Sequence, residues 1–193
     1  MTTTPLRKDA ARNWDRIVTV ARALVDQGTA LQLNDVARRA ELGVGTVYRH
    51  FATPEALLET VATRCLESLV AHAEQALTDN DPWRALEGFL LRTVEAQVTD
   101  ASLAPVAAAT TDALPRTTEL KSALRSAGAT LLDRARSAGV MRPDVTAADL
   151  VPLMCGIAHA VHVHGGTPVD RIDTAHRYLA TLLEGLRAAP PQA

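Results

Sequence analysis

Three short amphipathic runs follow one another between Asn13 and Phe51, separated by glycine-containing turns. This spacing restricts the possible fold more than any other feature of the chain. From Asn13 to Gln27 the apolar residues Trp14, Ile17, Val18, Val20, Ala21, Leu24 and Val25 recur at helical intervals. Gly28 stands where a helix ends in a left-handed residue. The second run puts Val36, Ala37 and Ala40 on one face and turns Arg38 and Arg39 outward, with Asn34 a better N-cap than Gln32. After Glu41-Leu42-Gly43, a third run from about Val44 to His50 points Val47 and Phe51 back at Val36, Ala37 and Ala40. The pattern describes a compact tri-helical unit whose second and third helices have helix-turn-helix spacing. An ordinary helical hairpin with a solvated polar face has the same pattern. A phosphate loop inside an enzyme does not: no strand precedes Gly43 and Gly45, and neither G-x-x-x-x-G-K-[ST] nor a βαβ unit is present.

The rest of the chain is also helical. Thr53-Pro54-Glu55 is a strong helix start, and Leu57, Leu58, Val61, Cys65, Leu66, Leu69 and Ala73 continue it for about seven turns. Asp81-Pro82 restarts a helix from Trp83 to about Val98, and Pro115 opens another to about Ala138. Ser102–Leu114 is alanine-rich, helical at best and kinked by Pro105. Thr146 caps a further helix, Gly166–Arg171 reads as a break, and the last helix is expected from about Arg171 to Ala188, with a frayed tail at 190–193. Of 193 residues 47% are hydrophobic and 3% aromatic, which allows a buried core and favours an all-α protein of about nine helices. The expected division is an N-terminal domain at 1–52 and a helical domain at 53–193. The N-terminal stretch lacks the apolar segment of a signal peptide, and no apolar run is long enough to span a membrane, so a cytoplasmic protein is expected. Cys65 and Cys155 read as buried free thiols of a reducing compartment. Charge is uneven: residues 1–51 hold eight basic and five acidic side chains, whereas the remainder holds twelve and seventeen. A polyanion partner at one end is the physical implication.

Thr46, Tyr48, Arg49 and His50 offer hydroxyl and cationic donors of the kind that bind phosphate oxygens. The stretch from Leu33 to Val61 resembles the DNA-binding segment of the TetR family of bacterial transcriptional repressors. Val36-Ala37, Ala40, Leu42, Gly45-Thr46-Val47-Tyr48, His50-Phe51 and Glu55-Leu57-Leu58 sit in register with the family pattern. The resemblance implies phosphate contacts from Thr46, Tyr48 and His50, base-edge proximity for Val44, Gly45 and Arg49, and backbone contacts from Arg38 and Arg39. Lys8 and Arg12, on a mobile N-terminal arm, are placed to reach phosphate or minor groove. Three departures stand out. Glu41 replaces the usual turn glycine and implies either a positive φ or a slightly altered turn geometry, Gly43 replaces a capping serine, and Pro54 replaces a lysine.

Beyond this segment no catalytic constellation is present. His159 and His162 are three residues apart on one helix, but no Cys-x-x-Cys or His-Glu-x-x-His accompanies them, and no serine lies in G-x-S-x-G. The expectation is no enzyme, no metal and no cofactor. The small residues of Ser102–Leu114 leave space between longer helices, so a mostly apolar ligand site is expected from Trp83, Leu86, Phe89, Leu90, Thr110, Thr111, Leu131, Met154 and His159. Leu150, Leu153, Ile157, Val161, Ile172, Leu179, Leu182, Leu183 and Leu186 exceed what one core needs. The resemblance implies that the last two helices pair with a second copy as a homodimer. The expected partners are therefore operator DNA, a second subunit and a small-molecule effector, in a ligand-released repressor. A helical enzyme and a protein-binding adaptor remain the alternatives.

Overall fold

The structure, a computed structural model, describes residues 5–188, and among them the chain forms nine α-helices and no strand. They are α1 Pro5–Asp26, α2 Leu33–Arg39, α3 Val44–His50, α4 Pro54–Leu77, α5 Pro82–Thr99, α6 Leu103–Ala108, α7 Pro115–Ser137, α8 Ala147–His164 and α9 Pro168–Leu186. The tail expected at 190–193 lies outside the described residues.

Local chemistry accounts for several helix starts. Thr53 Oγ1 accepts from the Ala56 amide at 3.1 Å ahead of Pro54. Asp81 Oδ1 accepts from the amides of Trp83 and Arg84, both at 3.0 Å, ahead of Pro82. These bonds satisfy donors that a helix start otherwise leaves open. α9 begins with a capping box in which Thr167 and Asp170 bond one another's backbone amides. It therefore starts at Pro168, inside the stretch read as a break before Arg171. α1 likewise begins at Pro5 and not near Asn13. Lys8 and Arg12 thus lie on its first turns as exposed helical residues, with Arg12 3.5 Å from Asp9, and not on a mobile arm. α2 is preceded by Gln32, which makes no side-chain cap, while Asn34 lies inside the helix. Starting there places Leu33 in the core, where it is buried.

The N-terminal core contains Ile17, Leu24, Val36, Ala37, Val47 and Phe51, and it also takes in Leu57 and Val61 from α4. Further along, Leu66 and Leu69 of α4 join Leu103 and Val106 of α6 and Leu120 of α7. A third cluster joins α5, α7, α8 and α9. α4 therefore belongs to both halves of the molecule. Arg187 stacks over Trp83, its guanidinium carbon 4.3 Å from the ring centre, and closes the far end of this cluster.

Candidate nucleic-acid interface and ligand cavity

Helix α2 ends in a backbone arrangement that sets the direction of α3. The Leu42 amide bonds the Ala37 carbonyl at 2.9 Å and the Glu41 amide bonds the Arg38 carbonyl at 3.2 Å, which is a Schellman motif. Glu41 occupies its left-handed position with φ of 52°, the first of the two alternatives that its replacement of a glycine left open. Its carboxylate accepts from Arg16 of α1 at 2.8 Å, so the residue that strains the turn also ties it to the first helix. Gly43 precedes α3 and supplies no side-chain cap.

With Val47 fully buried, α3 presents its other face outward. Val44 and Tyr48 are about half exposed, Gly45 and Arg49 are exposed, and Thr46 and His50 are partly covered. Arg49 Nε donates to the Gly45 carbonyl at 3.0 Å, which folds its side chain along the helix. Arg38 and Arg39 are exposed on α2; Arg38 pairs with Asp35 at 2.6 Å. Between them α2 and α3 thus present the hydroxyls of Thr46 and Tyr48 and the cations Arg38, Arg39 and Arg49.

Arg22, which sequence reasoning passed over, fastens this unit to the rest. From α1 it donates to the Val61 carbonyl of α4 at 2.6 Å and to Asp100 Oδ1 at 2.6 Å, with the Ser102 hydroxyl at 3.4 Å. Burial pushes the Asp100 carboxyl up, but hydrogen bonds from Arg22 and Ser102 outweigh it and hold the group below the usual carboxylate range. Burial and the adjoining Asp100 charge push the half-buried Cys65 thiol up to about 11, which leaves it protonated and unreactive near neutral pH. Cys155 is likewise raised by burial, and both cysteines are free. Glu59, buried on α4, accepts from the amides of Ala113 and Leu114 at 2.7 and 2.8 Å. Since Leu114 offers no side-chain cap, α4 supplies the acceptor at the start of α7.

Between α4, α5, α6, α7 and α8 lies a cavity of about 90 Å³. Of the expected lining, Phe89, Leu90 and Met154 border it. Trp83, Leu86 and Leu131 are buried in the helical core instead, because the inner face of α5 meets α7 and α9 there. Thr110 and Thr111 are exposed and outside the cavity. Lys121 bonds the carbonyls of Val106 and Ala109 and the Asp112 carboxylate, and with Glu59 it lays the α6–α7 connection across the surface by its backbone. Residues not anticipated complete the wall: Thr93, Gln97, Lys121, Leu124, Arg125 and Gly128. At Gly128 an added Cβ would come within 3.2 Å of the Phe89 ring, a closeness that nothing in the sequence signals.

His159 stands exposed on a separate open groove of about 870 Å³, together with His162, Cys155 and Arg171. Among the described residues no group of histidine, cysteine and carboxylate side chains has metal-binding geometry. Of the expected dimer face, Leu150, Val161, Leu179, Leu183 and Leu186 are buried in the subunit's own core, and Leu150 also borders the cavity. The apparent apolar excess of α8 and α9 is largely taken up by α5. Leu153, Ile157, Ile172 and Leu182 are only half-buried, and Pro152, Gly156 and Ala160 on α8 are exposed. No helix of the described residues is long and apolar enough to cross a membrane.

Residues 17–61 match the family model described as bacterial regulatory proteins, tetR family, and residues 81–188 match that of the transcriptional regulator SbtR-like C-terminal domain. The HTH-type transcriptional regulator SAR0097 of Staphylococcus aureus (strain MRSA252) is 30% identical over 80 residues, covering 40% of this chain and 42% of that protein. The chain thus spans less than half the length of this curated relative. The TetR transcriptional regulator SCO0520 of Streptomyces coelicolor covers 91% of this chain and 99% of its own, with 29% identity and a TM-score of 0.56. PfmR of Thermus thermophilus, covering 88% of this chain and 97% of its own, shares the fold at 21% identity and a TM-score of 0.62.

Proposed function

Because the chain belongs to the TetR family of bacterial regulatory proteins, we propose that it is a ligand-responsive DNA-binding transcriptional regulator, acting as a repressor. One observation carries the reading. α4 places Leu57 and Val61 in the core beneath the recognition surface and Leu66 and Leu69 on the wall of the cavity. At 24 residues this helix is a lever about 36 Å long. An effector entering the cavity displaces Leu66 and Leu69, and the tilt of α4 moves α2 and α3 with it. The domain that reads DNA extends from α1 to the first turns of α4, and the remainder holds the effector and the dimer face.

In this reading Thr46, Tyr48 and His50 bind phosphates, Val44, Gly45 and Arg49 approach base edges, and Arg38 and Arg39 contact the backbone of the duplex. Leu153, Ile157, Ile172 and Leu182, beside the small exposed residues of α8, meet the same residues of a second subunit. The two-fold sets the recognition helices one turn of DNA apart, about 34 Å. Effector binding changes that spacing and lowers affinity for a palindromic operator. The protein works in the cytoplasm, beside its DNA.

The test is fluorescence anisotropy of the purified chain on DNA from upstream of its own reading frame. The expected result is binding that weakens steeply with salt. Tyr48→Phe and Thr46→Ala each lower affinity about threefold to tenfold on every operator sequence, with the thermal midpoint unchanged. No salt-dependent DNA binding under any condition would sink the reading and favour an adaptor.

A further inference from the structure

The cavity wall carries two polar features that its apolar residues do not account for. Gln97, on α5, is buried between this cavity and the larger open groove, bordering both, and its Oε1 has no hydrogen-bond partner among the described residues. An unpaired buried carbonyl is costly until a donor reaches it. The second feature is electrostatic. Lys121 and Arg125 are the charged residues of the lining, one helical turn apart on α7. Lys121 is bonded to Asp112 at 2.7 Å, so that pair is neutral overall. Arg125 acts on Asp112 through its charge, and among the lining residues it is exposed, as are Ala147 and Val151, which marks the open side of the cavity. The site therefore presents an apolar interior, one unpaired carbonyl at its edge, and a net positive charge from Arg125 on its exposed side.

We infer that the effector is a small monoanion, an apolar carboxylic acid whose carboxylate meets Arg125 and whose apolar body offers a hydrogen-bond donor to Gln97. The inference rests on the reading of the chain as a ligand-responsive regulator and specifies the chemistry of its effector. Size sets a further bound. An apolar cavity near 150 Å³ holds a benzene ring. At about 90 Å³ this one admits a chain of a few carbons as it stands, and a single ring only once Met154, unbranched and flexible, gives way at the wall. The carboxylate remains at the mouth and need not be accommodated inside. A guanidinium holds it in a planar two-point contact that no neutral amide reproduces.

Isothermal titration calorimetry on the full chain decides the matter with three probes: benzoate, benzamide and 3-hydroxybenzoate. Benzoate is expected to bind about fivefold more tightly than benzamide, a modest ratio because Arg125 is exposed. Arg125→Gln, a surface change that leaves the fold alone, brings the ratio to one. 3-Hydroxybenzoate exceeds benzoate in the parent chain, and Gln97→Leu removes that gain while raising the thermal midpoint, since it deletes an unpaired buried group. A merely structural Gln97 would not couple the two readouts. Equal binding of benzoate and benzamide, a ratio unchanged in Arg125→Gln, or no binding of any probe overturns the inference. Operator binding of the ligand-free chain is scored separately: its loss counts against the proposed function and leaves the calorimetric preference as measured.

Discussion

In the N-terminal unit the side chains that α1, α2 and α3 turn inward meet one another completely, and Ile17, Val36, Val47 and Leu57 retain no exposed surface. Among α5, α7 and α8 the same kinds of residue enclose a gap beside Phe89 and Met154, with Gln97 left unpaired at its edge. The difference separates two tasks. A surface that reads another molecule requires a rigid back, whereas a compartment that takes in a small molecule needs unfilled volume and polar groups awaiting partners. α4 runs through both, so rigidity at one end can report on occupancy at the other.

The largest expected effect tests the rigid half. Leu57→Ala removes a fully buried side chain from its core and should cost about 3 kcal/mol, read from the urea midpoint, with loss of DNA binding. Next come two substitutions that add carbon atoms, with opposite signs. Ala37→Leu overfills the N-terminal core and should cost about 2 kcal/mol. In Gly128→Ala the new Cβ meets the Phe89 ring at 3.2 Å, and the ring can yield into the gap. Better helix propensity should then add about 0.5 kcal/mol of stability, while effector response weakens. Equal signs for the two would abolish the contrast.

Acid tests the seam between the halves. Asp100 has a lowered folded-state pKa, so it stabilises the fold above its unfolded value, near 3.9, and loses that contribution as pH falls through the folded value. The stability gap between the parent and Asp100→Asn should therefore be widest near neutral pH and close below about pH 4. The smallest effect belongs to the turn. Glu41→Gly relieves a positive φ but loses the exposed pair with Arg16, and a net gain of about 0.5 kcal/mol in thermal or urea stability is expected.

What can be read from sequence divides along the same line. Val36, Ala37, Ala40, Val47 and Phe51 are legible as core because neighbours in space are near neighbours in sequence, and helical periodicity reports them directly. The positive φ at Glu41 is one of two alternatives implied by the resemblance, which sets it where the family has a turn glycine. The starts of α1 and α9 fall earlier than periodicity places them, although Pro5 and Thr167-Pro168 carry the same signal as Thr53-Pro54. The cavity's existence follows from small residues near α6, but its lining does not. Thr110 and Thr111 lie exposed because Lys121 and Glu59, from other helices, hold the backbone on either side of them, at Ala109 and at Ala113 and Leu114. Periodicity marks an apolar face and is silent about which helix will cover it, so Leu179 and Leu183 look available to a second subunit in the sequence while α5 already covers them in the fold.

The bonds made by Arg22 bear on how far such proteins are assembled from interchangeable parts. Its guanidinium grips the Val61 carbonyl on one side and Asp100 with Ser102, at the entrance to α6, on the other. Grafted onto a different helical body, the first 61 residues would bring a part-buried cation that expects a carboxylate seventy-eight positions downstream of it. A chimera made by cutting within α4 must carry Asp100 and Ser102 along or neutralise Arg22. The interchangeable part in this chain is thus a set of residues drawn from both sides of the cut.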